Sequence, residues 1–312
     1  MAEQKKPVPC AKPFLKWAGG KTQLLDEFSK RLPSGLEDGT ITRYVEPFIG
    51  GGAFFFILNQ RFSFDNCTIC DANEELILVY RVVKRSVKKL IGELRVLESE
   101  YFAKNDDARE LFYYEIRDSF NKELSEINFR TYGTGWVERA AQIIFLNRTC
   151  YNGLFRVNKK GEFNVPFGRN KNPDILNRDN LTRAALLLEK TQIIPGDFTQ
   201  CRKYVDDRTF VYFDPPYRPL NRTSSFTSYS KTGFSDKDQV RLAVFFKELD
   251  TTGAKIMLSN SDPRNQNSCD TFFDDLFSGF FIKRVLARRM INCNGARRGN
   301  IDELIITNYQ EK

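Results

Sequence analysis

The sequence predicts an α/β fold in which a mostly parallel sheet is interrupted by a helical insertion. Three observations carry that prediction. Short apolar, β-branched or aromatic runs bounded by turn residues recur in two separate blocks. Helical patterns alternate with several of these runs, the arrangement that parallel strands joined by crossovers require. Between the blocks, over residues 74–176, the texture changes to amphipathic helices followed by a loop-rich stretch.

Taken in order, the first block holds Tyr44–Phe48 and a run ending near Asp71. The second holds Thr191–Phe198, Thr209–Asp214, Ala254–Asn260, Phe280–Met290 and Asp302–Tyr309, which makes seven strand candidates. Lys237–Asp250 reads as a helix with Val240, Val244 and Phe245 on one face and charge on the other. Within the insertion, Leu76–Leu97 and Ala108–Phe120 read as amphipathic helices with abundant surface charge. Gly133, Gly135, Gly153, Gly161 and Gly168 then mark loops.

Composition narrows the chemistry. With 41% apolar and 28% charged residues among 312, the chain is of globular type. No run approaches the roughly 20 apolar residues that span a bilayer, and the N-terminal segment lacks a signal-peptide core. The expectation is a cytoplasmic protein with no membrane contact. Seven cysteines, an odd number, argue against a disulfide framework. The lone Cys67-x-x-Cys70 pair reads as two thiols on a buried strand, and no metal site is expected. The chain has no histidine, which removes Ser-His-Asp and Cys-His hydrolases and His-ligated metals. Chemistry must therefore run on carboxylates, hydroxyls, amides and backbone groups.

The charge is unevenly placed. Residues 147–172 carry six Lys/Arg against Glu162 alone, and residues 281–300 carry six with no acid. Their surpluses of +5 and +6 exceed the +8 of the whole chain, so the remainder is net acidic. Two such segments favour a polyanionic partner, nucleic acid above all.

Three motifs bear on a site. Tyr44–Ala53 runs a strand into Gly50, Gly51 and Gly52 and then into an apolar helix, a junction that brings backbone close to a ligand. Phe55 stands where a dinucleotide fingerprint needs its third glycine, which weakens a nicotinamide reading. Asp71 follows at the end of the next strand, where an acid commonly binds ribose hydroxyls. A plain turn followed by a capping Asp gives the same letters. Gly20-Lys21-Thr22 lacks the glycine five positions earlier that a phosphate loop requires. The strongest signal is Asp214-Pro215-Pro216-Tyr217 after an apolar strand. Two prolines stiffen the turn, so the Asp214 and Pro215 carbonyls can face a ligand in fixed geometry. Carboxylate and carbonyl suit the two N–H bonds of an amino group on a planar ring, with Tyr217 stacked on that ring.

FLKWAGGK (14–21), EPFIGGG (46–52), DAN (71–73), NRTCYNGLFRVNKKGEFNVPFG (147–168), GDF (196–198) and DPPY (214–217) together resemble the Dam/DpnM-type DNA adenine-N6 methyltransferases of the D12 class. INCNGARRGNIDELIITNY near the C-terminus also fits. The resemblance covers nearly the whole chain in the family's order. It implies a Rossmann-like class I methyltransferase fold, α/β with a seven-stranded mixed sheet, into which a mainly helical target-recognition domain is inserted. Residues 1–73 and 177–312 would form the S-adenosyl-L-methionine-binding catalytic domain, and 74–176 the DNA-binding one. By similarity, Trp17, Ala18, Gly19 and Lys21 line the methionine end of the cofactor. Phe48 and Gly50–Gly52 form the turn beneath it, and Asp71 binds the ribose. Asp197 and Phe198 hold the adenine, and Asp214 adjoins the methyl donor.

The implied reaction is methyl transfer to N6 of adenine in double-stranded DNA, at GATC, on a base flipped out of the duplex. Asp214 and the Pro215 carbonyl would accept both N6 hydrogens, with Pro216 and Tyr217 completing the catalytic corner. Asn152, Leu154 and Arg156 would read base edges, while Lys159, Lys160 and Arg169 touch phosphates and Lys16 reaches the DNA. Relatives often carry tyrosine after Phe-Gly-Arg; this chain has Asn170, so no wedging residue is assigned. Arg297 and Arg298 belong either to a phosphate-binding loop or to a solvated hairpin. Methylation of cytosine N4 or RNA adenine, and a non-catalytic DNA-binding role, are the alternatives. Cytosine-C5 chemistry is rejected, because the sole Pro-Cys is Pro9-Cys10 at the terminus. A restriction endonuclease is one compatible functional companion, and the sequence sets no oligomeric state.

Overall fold

The computed structural model describes residues 10–17, 25–218, 234–288 and 300–310. Seven strands form one sheet: β1 (Arg43–Glu46), β2 (Asn66–Asp71), β3 (Thr191–Pro195), β4 (Thr209–Phe213), β5 (Lys255–Ser261), β6 (Phe281–Arg288) and β7 (Asn300–Thr307). Their spatial order is β3-β2-β1-β4-β5-β7-β6, parallel from β3 to β5, with β7 antiparallel to both its neighbours. The strand order reverses between β1 and β4, the place where sheets of this kind hold ligands beyond the carboxyl ends of their strands. All seven expected strands form. Pro47 follows the end of β1 before Phe48, and β3 closes at Pro195, because proline cannot donate to the ladder beyond.

The helices are α1 (Leu25–Ser29), α2 (Ala53–Arg61), α3 (Glu74–Phe102), α4 (Asp106–Lys122), α5 (Trp136–Thr149), α6 (Arg178–Leu188), α7 (Asp236–Asp250) and α8 (Phe272–Leu276). Every residue of β4 is buried, so both faces of the sheet are covered. Tyr44, Phe210, Tyr212 and Met257 face one apolar core, together with residues of α2, α3, α5 and α6. Val45, Val211, Phe213 and Leu258 face a second core, filled from α7 and α8. Cys67 enters the first core and Cys70 the second, as the period of two dictates for residues three apart on β2.

The helical expectation for α7 needs a correction. Val240 and Val244 are exposed, and the buried stripe is Leu242, Phe245, Phe246 and Leu249. That stripe repeats every three to four residues over two turns, whereas the two valines flank it on the solvent side. In the insertion, α3 starts from an Asn73 cap that accepts the Leu76 N–H at 3.1 Å. Its first half is buried from Leu76 to Val83 except at Arg81, and Arg81 and Lys84 donate to the Ile193 and Thr191 carbonyls of β3. The helix kinks at Ser86, whose φ is −140°, and the Tyr132 hydroxyl meets the Ser86 Oγ there at 2.7 Å. Its second half brings Tyr101 against Phe145 of α5 and against Phe167. No helix among the described residues is long and apolar enough to cross a membrane.

Candidate active site

Four groups converge on the carboxyl edge of the sheet at the order reversal. The chain leaves β1 through Gly50, Gly51 and Gly52, and Gly52 caps α2 in the left-handed conformation. A Cβ on Gly50 would lie 2.9 Å from the Trp17 ring, and one on Gly52 would lie 2.6 Å from the Tyr80 hydroxyl. Glycine is thus required by close approach on both sides of the turn. The turn is also tied to β2, because the Asp71 carboxylate accepts the Gly50 N–H at 3.1 Å and the Asn73 N–H at 2.9 Å. Burial pushes the Asp71 pKa up to about 6, against the pull of the Asn73, Gly50 and Ala72 amides.

Sequence reading missed Glu46, at the end of β1. Its carboxyl is buried, accepts the Tyr44 hydroxyl at 2.6 Å and is bonded by the Phe55 N–H in the first turn of α2. Burial drives its pKa far above the usual carboxylate range, and the nearby Asp214 and Asp71 push it the same way. Burial thus favours the protonated form of Glu46, which joins the end of β1 to the first turn of α2 beyond the glycine run. Glu46 stands inside the EPFIGGG run, where only its neighbours on β2 and β4 distinguish it from a strand-end acid.

Asp214 follows β4 directly and is half-buried, with Pro215 buried, Pro216 exposed and Tyr217 half-buried. Ser259 on β5 donates to the Asp214 Oδ1 at 3.0 Å. The Tyr217 hydroxyl donates to Glu303 Oε2 on β7 at 2.6 Å, and Gln239 of α7 donates to the Pro216 carbonyl at 3.1 Å. Burial, with Asp214 and Glu303 nearby, raises the Tyr217 pKa well above its ordinary value, so the phenol stays protonated. Among the described residues, no donor meets the Pro215 carbonyl. The corner thus presents a carboxylate and a rigidly held carbonyl at one edge, the acceptor pair that an exocyclic amine requires.

On the far side of β2, Asp197 caps the turn Phe198–Tyr204 and pairs with Arg241 at 3.1 Å. Burial opposes its ionisation, but Thr199 and Arg241 outweigh it and hold the carboxyl below its ordinary value. Phe198 is buried, and Phe48 lies against it at 5.4 Å, so these two expected cofactor residues share one aromatic cluster. Ala18, Gly19 and Lys21 lie outside the described residues, as do Arg297 and Arg298.

The expected DNA-reading residues sit on a hairpin joined to this edge. The Val157–Phe163 bridge and the Asn158 N–H to Glu162 carbonyl bond close it, with exposed Lys159 and Lys160 at its tip. Arg156 is exposed and braced on Asn164 through two of its five N–H donors. Asn152 is exposed with φ +57°, Leu154 is half-buried, and Tyr151 shows an exposed ring beside them. The buried Asn147 clamps hairpin to edge: its amide pairs with both the N–H and carbonyl of Lys16 and donates to the Gly153 carbonyl. Trp17 stacks on Phe155 at 5.4 Å, so one indole touches the glycine turn and the hairpin together. Lys16 itself is exposed. Arg169 is separate, exposed and paired with Glu110 at 3.2 Å. In the second basic segment, Arg284 is taken up by Asp262 and Asp274, which removes it from the pool of cations for a polyanion.

Known proteins are similar to this chain in sequence. Type II methyltransferase M.MjaIII of Methanocaldococcus jannaschii is 53% identical over 96% of this chain and 99% of its own length. Type II methyltransferase M1.LlaDCHI of Lactococcus lactis subsp. cremoris is 39% identical over 96% and 95%, respectively. The DNA adenine methylase of Escherichia coli K12 is 36% identical over 94% and 93%. The mixed seven-stranded sheet agrees with the class I methyltransferase fold. With residues 17–291 matching its family profile, the chain belongs to the D12 class of N6 adenine-specific DNA methyltransferases.

Proposed function

We propose that this adenine-specific DNA methyltransferase uses S-adenosylmethionine to methylate the adenine of GATC in duplex DNA, on a base turned out of the helix. The observation that carries the reading is the acceptor corner, Asp214 with the Pro215 carbonyl, set across the order reversal from the glycine turn and Asp71. The cofactor fits the residues present: a Cβ on Gly50 or Gly51 would press on Trp17, and Asp71 offers a half-exposed carboxylate beside them. Asp71 would hold the ribose hydroxyls, Trp17 and Gly50–Gly52 the methionine end, and Asp197 with the Phe48–Phe198 cluster the adenine. When bound, S-adenosylmethionine supplies an electrophilic methyl carbon.

Adenine N6 is a weak nucleophile, because its lone pair is delocalised into the ring. Asp214 and the Pro215 carbonyl accept its two hydrogens, localise that pair and stabilise the positive charge that develops on nitrogen. Tyr217 stacks on the extruded base. No enzyme nucleophile is needed. Residues 74–176 form the target-recognition domain in this reading, and 1–73 with 177–312 the catalytic one. Asn152, Leu154 and Arg156 read base edges, while Lys16, Lys159, Lys160 and Arg169 contact the backbone. The motif run from NRTCYNG to NVPFG supports GATC as the target.

Labelled methyl transfer to duplexes with each base of GATC changed in turn tests this function. The expected product is N6-methyladenine on the intact site, lost in Asp214→Ala. Methylcytosine as the only product, or full turnover by Asp214→Ala, overturns it. A 2-aminopurine at the target position should brighten on binding; an unchanged signal sinks the flipped-base step.

A further inference from the structure

Three consecutive polar residues, Ser259-Asn260-Ser261, end β5, and all three are buried, the first two completely. Polar groups held away from water need partners, and the partners show what these residues are for. Ser259 donates to the Asp214 Oδ1 at 3.0 Å. Because its one hydrogen is committed there, the Tyr212 hydroxyl at 3.0 Å is the donor to Ser259. Asn260 points to the opposite face of the sheet. Its Oδ1 accepts the Arg218 N–H at 3.3 Å, and its Nδ2 donates to Gln239, which in turn donates to the Pro216 carbonyl. The Ser261 hydroxyl donates to the Arg218 carbonyl at 3.3 Å. One short strand end therefore grips the 214–218 segment from both faces of the sheet, at its carboxylate, its second proline and its exit.

We propose that Ser259-Asn260-Ser261 is the positioning motif of the active site, with Ser259, itself oriented by Tyr212, fixing the plane of the Asp214 carboxylate for the target amine. Asn260 and Ser261 hold the exit of the prolyl turn, so that the Pro215 carbonyl keeps its place beside that carboxylate. None of the three touches substrate. Their effect falls on the methyl-transfer step, where small misplacements of an acceptor are costly, and not on binding of either substrate.

The proposal rests on Asp214 as the group that receives the amine, so Asp214→Ala is measured in parallel. Activity in that variant overturns the reading of the site; its loss leaves the triplet to be judged by its own variants. Ser259→Ala should slow single-turnover methyl transfer by about 10- to 100-fold, with Kd for cofactor and for DNA within about twofold of the parent. Tyr212→Phe should slow the same step in the parent and add nothing in the Ser259→Ala background, since the relay is already cut. A parental rate in Ser259→Ala overturns the proposal. So does a loss tracked by weakened cofactor binding or a lowered melting temperature, and so does full additivity of the two substitutions.

Discussion

Asp71 works close to its own titration. Half-buried between the glycine turn and the first turn of α3, its carboxyl has its pKa pushed up to about 6 instead of near 4. Above that value it is a charged acceptor for hydroxyl donors; below, the charge is lost and the acceptor weakens. Cofactor Kd should therefore rise as pH falls through 6, and Asp71→Asn should bind weakly with no such dependence. Calorimetric titrations at several pH values between about 5 and 8 check both. A flat profile in the parent would remove Asp71 from the binding site. At this scale the sequence is readable where chemistry is local: the glycine run, Asp71 and the Asp-Pro-Pro-Tyr corner are each contiguous. It is unreadable where a role comes from a distant partner. Asn147 acts on Lys16, 131 positions away, and Ser259 acts on Asp214, 45 positions away. Nothing near either residue announces the bond.

Among the elements, the strands were the most legible, since each is a short apolar or β-branched run closed by a turn or a proline. Helix α7 shows the limit of pattern reading. Valines 240 and 244 look like core, yet the groove above β4 and β5 is filled by the stripe from Leu242 to Leu249. The two faces make opposite predictions. Phe246→Ala removes a ring packed against Phe213, Phe277 and Phe280 and should cost about 3–5 kcal/mol. Val244→Ala, 62% exposed, should change stability by less than about 0.5 kcal/mol. Urea denaturation of both variants reads the difference, and equal losses would show that the helix is turned the other way. The basic hairpin was legible in its charge and turn residues. Its attachment to the carboxyl edge of the sheet was not, because Trp17 and Phe155 meet only in the folded chain.

For the molecule as a whole, that attachment joins the basic hairpin and the carboxyl edge of the sheet into one unit. The Asn147 clamp satisfies three backbone groups on two segments, and Asn147→Ala strands all of them in a buried site. A loss of about 2–4 kcal/mol in chemical denaturation is expected, and an unaffected variant would show that the stack of Trp17 on Phe155 is the sufficient joint. Strand order carries a last consequence. The chain makes β7 after every other strand, yet inserts it between β5 and β6 and brings with it Glu303, the acceptor of the Tyr217 hydroxyl. In the sheet β5 and β6 have no direct pairing, and β7 supplies the ladder partner of both. The hydroxyl at the catalytic corner therefore gains its acceptor from the last strand of the sheet, which ties completion of the fold to the arrangement of the site.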